Sequence, residues 1–137
     1  MSRIPNNLSD PEINERNHAA YSAGCDHYES GHYRKAKTAF EEALQYWPED
    51  VQAWMALGNC YDALNKPRQA EQQFRKALEF CSGPDIANIQ YNLANSLYDQ
   101  AEYDKAIDAY LEISKGHPVW IKAKINLGRA QEKKNRK

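Results

Sequence analysis

The sequence is poor in the features that would place it in most functional classes. Its three cysteines, Cys25, Cys60 and Cys81, are an odd number without CxxC or metal-type spacing. That argues against a disulfide framework and for reduced, buried thiols. No run approaches the ~20 apolar residues of a membrane-spanning helix. The stretch Met1 to Asn7 lacks the apolar centre of a secretory signal, so a cytoplasmic protein without a membrane span is expected. Excess charge is missing too: 18 Lys and Arg against 19 Asp and Glu leave a net charge of −1, which gives nucleic acid no basic face to bind. The basic end Lys133 to Lys137 reads as a solvated terminus.

Catalytic spacing is also absent. His18, His27, His32 and His117 do not fall with Asp, Ser or Cys into an arrangement tied to a known mechanism, so neither an enzyme nor a cofactor is expected. His18, Cys25 and Glu29 share a helix face, but zinc ligands usually come in closer pairs, and an ordinary surface is the expectation there. What remains is 42% hydrophobic and 27% charged, enough apolar material in 137 residues for one folded domain and not for two.

The positive content of the chain is an internal repeat. Ala36, Phe40, Ala43 and Pro48 recur as Ala70, Phe74, Ala77 and Pro84, and again as Ala106, Tyr110, Ile113 and Pro118. Gly24 and Gly58 lie 34 residues apart, as do Pro84 and Pro118, while Pro48 to Pro84 is 36, so two residues are inserted between Ala77 and Pro84. Small and apolar residues spaced by three and four mark one buried stripe per helix, and each unit reads as a helix pair. A pair of this size cannot bury both faces alone, so the units must stack.

Helix punctuation predicts seven helices near 11–29, 33–46, 51–64, 67–80, 85–99, 103–115 and 119–134, with no strands. Asp10 and Asp50 are placed to cap the helices that follow them, and Pro67 suits a first helical position. The last helix reads as a cap in which Ile121, Ile125 and Leu127 cover the third unit while 131–137 turn polar.

Trp54, Leu57-Gly58, Tyr61, Ala70 and Phe74 resemble the tetratricopeptide repeat pattern at every position except the displaced proline. The first unit keeps Gly24, Ala36, Phe40 and Pro48, and the third keeps Leu93, Ala106 and Pro118. The resemblance implies an all-α solenoid of antiparallel helix pairs. Its units are an N-terminal extension 1–16, repeats at 17–50, 51–86 and 87–120, and a capping helix with polar tail at 121–137.

Such arrays line a concave groove with the second, fifth, ninth and twelfth positions of each first helix. Carried over, those are His18, Tyr21, Cys25 and Tyr28; Gln52, Met55, Asn59 and Asp62; Asn88, Tyr91, Asn95 and Tyr98; Lys122, Ile125, Arg129 and Glu132. The sixth position adds Asn92 and Asn126. Tyrosine and methionine give broad contact area and asparagine pairs with a peptide backbone, so the resemblance implies a protein or peptide partner. The carboxylate clamp of co-chaperones in this family is matched by Asn59, Asn92 and Lys122, but Met55 and Asn126 replace its other lysine and its arginine. Lys122 and Arg129 instead suggest a basic end to the groove, opposite Asp62 and Asp99. The alternative to a peptide-binding scaffold is a self-assembling array forming homo-oligomers, or a chaperone-like factor.

Overall fold

The computed structural model describes residues 10–136 and contains seven helices and no strand among them. They are α1 (Pro11–Glu29), α2 (Tyr33–Tyr46), α3 (Val51–Ala63), α4 (Pro67–Phe80), α5 (Asp85–Asp99), α6 (Tyr103–Leu111) and α7 (Trp120–Asn135). The expectations placed on residues 1–9 lie outside the described part. Each helix packs on the next in chain order, and α1 also touches α3 as α5 touches α7. The odd-numbered helices thus share one face and the even-numbered helices the other.

The local chemistry explains the boundaries. Asp10 accepts from the Glu12 amide at 2.9 Å and Asp50 from the Ala53 amide at 3.2 Å, each satisfying a donor that the first helical turn leaves open. Asp50 is fully buried, and Asn17 donates to it at 3.3 Å and to the Ala43 carbonyl at 2.9 Å, tying α1 to the turn between the first two units. Trp54 secures the same turn from the other side through Nε1 and the Pro48 carbonyl, at 2.7 Å.

Three turns within the helix pairs are copies of one motif. Gly31, Asn65 and Ala101 all adopt left-handed backbone, with φ of 78°, 60° and 61°. The amide after each reaches back five residues: His32 to His27, Lys66 to Tyr61 and Glu102 to Leu97, at 2.8 to 3.0 Å. This is the Schellman closure of a helix end, which glycine adopts without cost and asparagine at small cost. Alanine is the poor choice of the three. The two-residue insertion supplies a further left-handed residue, Gly83 at φ 82°, between α4 and α5.

The core depends on close approach within each pair. A Cβ built on Gly24 would lie 2.6 Å from the Phe40 ring, and one on Gly58 would lie 2.5 Å from Phe74. Both rings are essentially without solvent exposure. The third pair has Ala94 and Tyr110 at these places, both fully buried, and the Tyr110 hydroxyl donates to Asn95 Oδ1.

Three expectations need correction. Helix α6 ends at Leu111 instead of 115, because the amides of Glu112 and Ile113 close tighter three-residue bonds to Ala109 and Tyr110, which turns Ile113 inward ahead of Gly116 and Pro118. In the capping helix, Ala123, Leu127 and Ala130 face the third unit, whereas Ile121 and Ile125 are 65% and 52% exposed. Residues 121 and 125 are four apart and share a face, but 127 lies on the opposite side of a 3.6-residue turn from them. Of the three thiols Cys60 alone is buried, and Cys25 and Cys81 are half-buried.

Two outcomes follow for urea unfolding monitored by circular dichroism. Ala101→Gly is expected to stabilise the chain by roughly 0.5 kcal/mol, the relief of a left-handed alanine less the entropy that glycine adds to the unfolded chain. Gly58→Val is expected to cost about 2 kcal/mol or more, since the buried Phe74 ring has nowhere to move.

Candidate functional site

The face built by α1, α3, α5 and α7 carries the residues that the repeat positions nominate, and the structure sorts them into two clefts. The first, between α1 and α3, has a volume of about 140 Å³ and is lined by Cys25, Tyr28, Glu29, Phe40, Ala56 and Asn59. The second, between α5 and α7, has a volume of about 330 Å³ and is lined by Asn95, Tyr98, Asp99, Tyr110, Asn126 and Arg129. Tyr28 and Asn59 therefore meet in one cleft, and Asn95, Tyr98, Asn126 and Arg129 in the other.

The tyrosines are braced from behind. Tyr28 packs edge-on against Tyr33 at 5.1 Å between ring centres, and Tyr98 against Tyr103 at 5.4 Å, the same pairing across the same turn. Tyr21 lies 5.5 Å from the Phe40 ring and Tyr91 6.4 Å from Tyr110, so both are half-buried among the helices and expose only part of each ring. Met55 is likewise half-buried against the core, while Asn92 is half-buried with its carbonyl accepting from Ser96 Oγ at 3.1 Å.

A polar network occupies the second cleft. Asn95 Oδ1 accepts from Tyr110 and also from Asn126 Nδ2 at 3.1 Å, and Asn126 Nδ2 reaches the Tyr91 hydroxyl at 3.2 Å. Arg129 donates to Asn126 Oδ1 at 3.2 Å. The amide of Asn126 is thus committed to fastening α7 onto α5, and Arg129 extends from that tie with further N–H groups in its fork. Lys122 is exposed near the start of α7.

The middle of the face is acidic. Asp62 is half-buried on α3, where its Oδ1 accepts from Ser96 Oγ of α5 at 3.4 Å. Burial, and then the nearby Asp99 carboxylate, push its pKa up to about 6, while the Ser96 hydrogen bond works weakly in the opposite direction. Burial raises Asp99 as well. Desolvation also raises the Tyr28 hydroxyl and pushes the Cys60 thiol, behind the first cleft, up to about 12. A thiol so held is inert at neutral pH.

Sequence reasoning missed several lining residues. Glu29 and Ala56 flank expected groove positions by one residue. Tyr110 was assigned to the core alone, although the hydroxyl it carries in place of the phenylalanine of Phe40 and Phe74 was a visible signal that this ring needs a polar partner.

Helix pairs of this length, closed by the same turn three times and packed aromatic onto glycine, match the tetratricopeptide repeat family profile over residues 21–85 and 63–118. The chain belongs to the tetratricopeptide repeat family. It is 28% identical over 122 residues to the type IV pilus assembly protein PilF of Pseudomonas aeruginosa, covering 88% of this chain and 48% of PilF. The solved PilF structure superposes with a TM-score of 0.74 at 25% identity, over 90% of this chain and 56% of that one. The TPR2B domain of yeast Sti1, solved as a complex with pHsp70, has a TM-score of 0.76 at 17% identity and covers 86% of this chain and 98% of its own. The first repeat domain of Spaghetti (RPAP3), bound to the HSP90 peptide SRMEEVD, gives 0.73 at 14%, covering 86% of this chain and 94% of its own. These last two likenesses establish the fold alone. This chain spans about half the length of PilF, and no helix among the described residues is long and apolar enough to cross a membrane.

The raised Asp62 pKa has a consequence for stability. A carboxyl whose folded pKa lies above its unfolded value favours the folded state when protonated, and that favour is lost as pH rises through about 6. Asp62→Asn should therefore raise the melting temperature at pH 8, by roughly 1 kcal/mol of stability after solvent screening is allowed for. The gain should shrink towards zero at pH 4, as thermal scans at the two pH values will read.

Proposed function

We propose that this chain is a protein-interaction module that holds a peptide segment of a partner along the face of α1, α3, α5 and α7. The observation that carries this reading is the pair of clefts on one face, each combining a braced tyrosine with asparagine: Tyr28 with Asn59, and Tyr98 with Asn95. Rigid rings offer contact area at small entropic cost, and the amides offer hydrogen bonds to an extended backbone. The HSP90 peptide and the pHsp70 bound by two structural neighbours of the same fold support this reading, as does the likeness to a protein of pilus assembly. The units at 17–50, 51–86 and 87–120 would each supply one stretch of the binding face, with 121–137 closing it.

Charge gives the ligand a direction. Asp62 on α3 favours a cationic side chain, while Lys122 on α7 favours an acidic one beyond the second cleft. The second cleft holds Asp99 beside Arg129, which opposes a bare terminal carboxylate there and fits a mixed-charge segment better. Tyr21, Met55, Tyr91, Asn92 and Asn126 serve in this reading mainly by holding the lining in place.

The decisive variant must spare the helix ties. Asn95→Ala would orphan the buried Tyr110 hydroxyl and Arg129→Glu would disturb Asn126, confusing binding with stability, so the substitutions are Asn59→Ala with Lys122→Glu. Partners co-purified with the double variant are expected to fall by about tenfold at low salt, with the deficit narrowing in concentrated salt as surface charge is screened. Equal recovery of every partner by wild type and variant at both salt concentrations would remove this face as the binding site.

A further inference from the structure

We propose that the edge where α1 turns into α2 and α3 turns into α4 is a second docking site, which receives an acidic segment of a partner protein carrying one apolar side chain among its carboxylates. The two turns meet in one open cleft of about 430 Å³, lined by Gly31, His32, Tyr33, Arg34 and Lys35 from the first and by Leu64 from the second. Tyr33 and Leu64 are half-buried and give the cleft its apolar part, whereas Arg34 and Lys35 are exposed. Lys66 and Arg68, also exposed, follow Leu64 by two and four residues.

A net charge of −1 conceals a local excess at this edge. Arg34, Arg68 and Asp104 hold the same position in the three units, 34 and 36 residues apart. In the third unit the charge is matched, since Asp104 pairs with Lys134 of α7 at 2.8 Å. In the first two it is not: among the described residues, the side chains of Arg34, Lys35, Lys66 and Arg68 take part in no ion pair. The first turns of α2 and α4 contain no acidic residue, whereas that of α6 contains Asp104. The carboxylates nearest in sequence are Asp26 and Glu29 at the end of α1, and Glu29 lines the first cleft of the other face. The cations at the two turns are therefore in excess.

Charge complementarity defines the occupant. Guanidinium groups free of partners recognise carboxylates through paired hydrogen bonds, and the Asp104 to Lys134 pair is the same kind of match made inside the fold. Residues 1–9 contain no Asp or Glu and do not supply the acid. A nucleic acid would bring phosphates but no aliphatic group for the cleft at Tyr33 and Leu64. The basic stretch also stops at Glu102 and Asp104 of the third turn, too short for an extended phosphate backbone. An acidic peptide with one apolar residue satisfies both the cations and the apolar lining. This edge is separate from the groove face, and Tyr33 touches both by packing against Tyr28 while lining the cleft.

The probe is the synthetic peptide Glu-Glu-Leu-Glu-Glu, blocked at both ends and titrated to about 2 mM into the isotopically labelled full chain at about 20 mM salt. Saturable amide shifts are expected at Gly31, Arg34, Leu64 and Arg68. Affinity should fall about tenfold with Arg34→Ala plus Arg68→Ala in the protein, and about threefold with serine in place of the peptide's leucine. Both arginines are exposed and outside any ion pair, so the double variant should melt with wild type. Asn59→Ala, a groove variant, should bind the peptide undiminished, which separates this site from the groove. Four results would each overturn the proposal: no shifts at the highest peptide concentration, shifts centred on Asn59 and Asn95, undiminished binding by the double variant, or equal binding of the serine peptide. A thymidine hexanucleotide or phosphatidylserine vesicles binding the same amides more tightly than the peptide would overturn it by changing the class of partner. Shifts at these amides that depend on protein concentration without peptide would do so by making a second copy the occupant.

Discussion

The contact of an aromatic ring with bare helix backbone is the constraint from which the rest of this fold follows. Phe40 against Gly24 and Phe74 against Gly58 place a ring where a Cβ would not fit. Beside these contacts Ala36, Ala43, Ala70 and Ala77 are fully buried. The odd helices are then held side by side, and the spacing between them determines how wide the clefts on their shared face can be. In the third pair the ring gains a hydroxyl, and the packing residue becomes the first member of the polar network that fastens α7.

Under the proposed binding mode, that network makes recognition and stability share residues. Asn95 accepts from the core through Tyr110 and from the last helix through Asn126, and it also lines the second cleft. Ser96 does comparable work one residue along, bonding to Asp62 on the neighbouring first helix. A face assembled in this way is preorganised, since few side chains on it must be immobilised when a ligand arrives.

The helix pairs were legible in the sequence because their signal is periodic and repeated: Gly58 with Phe74, Ala36 with Ala70 and Ala106, and prolines at near-constant intervals leave little freedom. Cap residues such as Asp10 and Asp50 acted as read, since a carboxylate before a helix has one short-range task. The early end of α6 was not legible, because a helix closing in three-residue bonds looks in sequence like one that continues. The outward turn of Ile121 and Ile125 was missed because apolar character was taken for burial, which their angular position contradicts. The groove positions came from the family resemblance, but nothing in spacing alone could reveal that Asn126 spends its amide on its neighbours, or that Asp62 lies near a second carboxylate.

The buried side chains form two clusters, one drawn from α1, α2 and α3 and the other chiefly from α4 to α7, with Trp54 and Tyr61 packed against both. Those two rings join the halves together with the Phe74 ring on Gly58 and the hydrogen bond from Ser96 to Asp62, so the angle between the first cleft and the second is set by packing at the α3–α4 boundary.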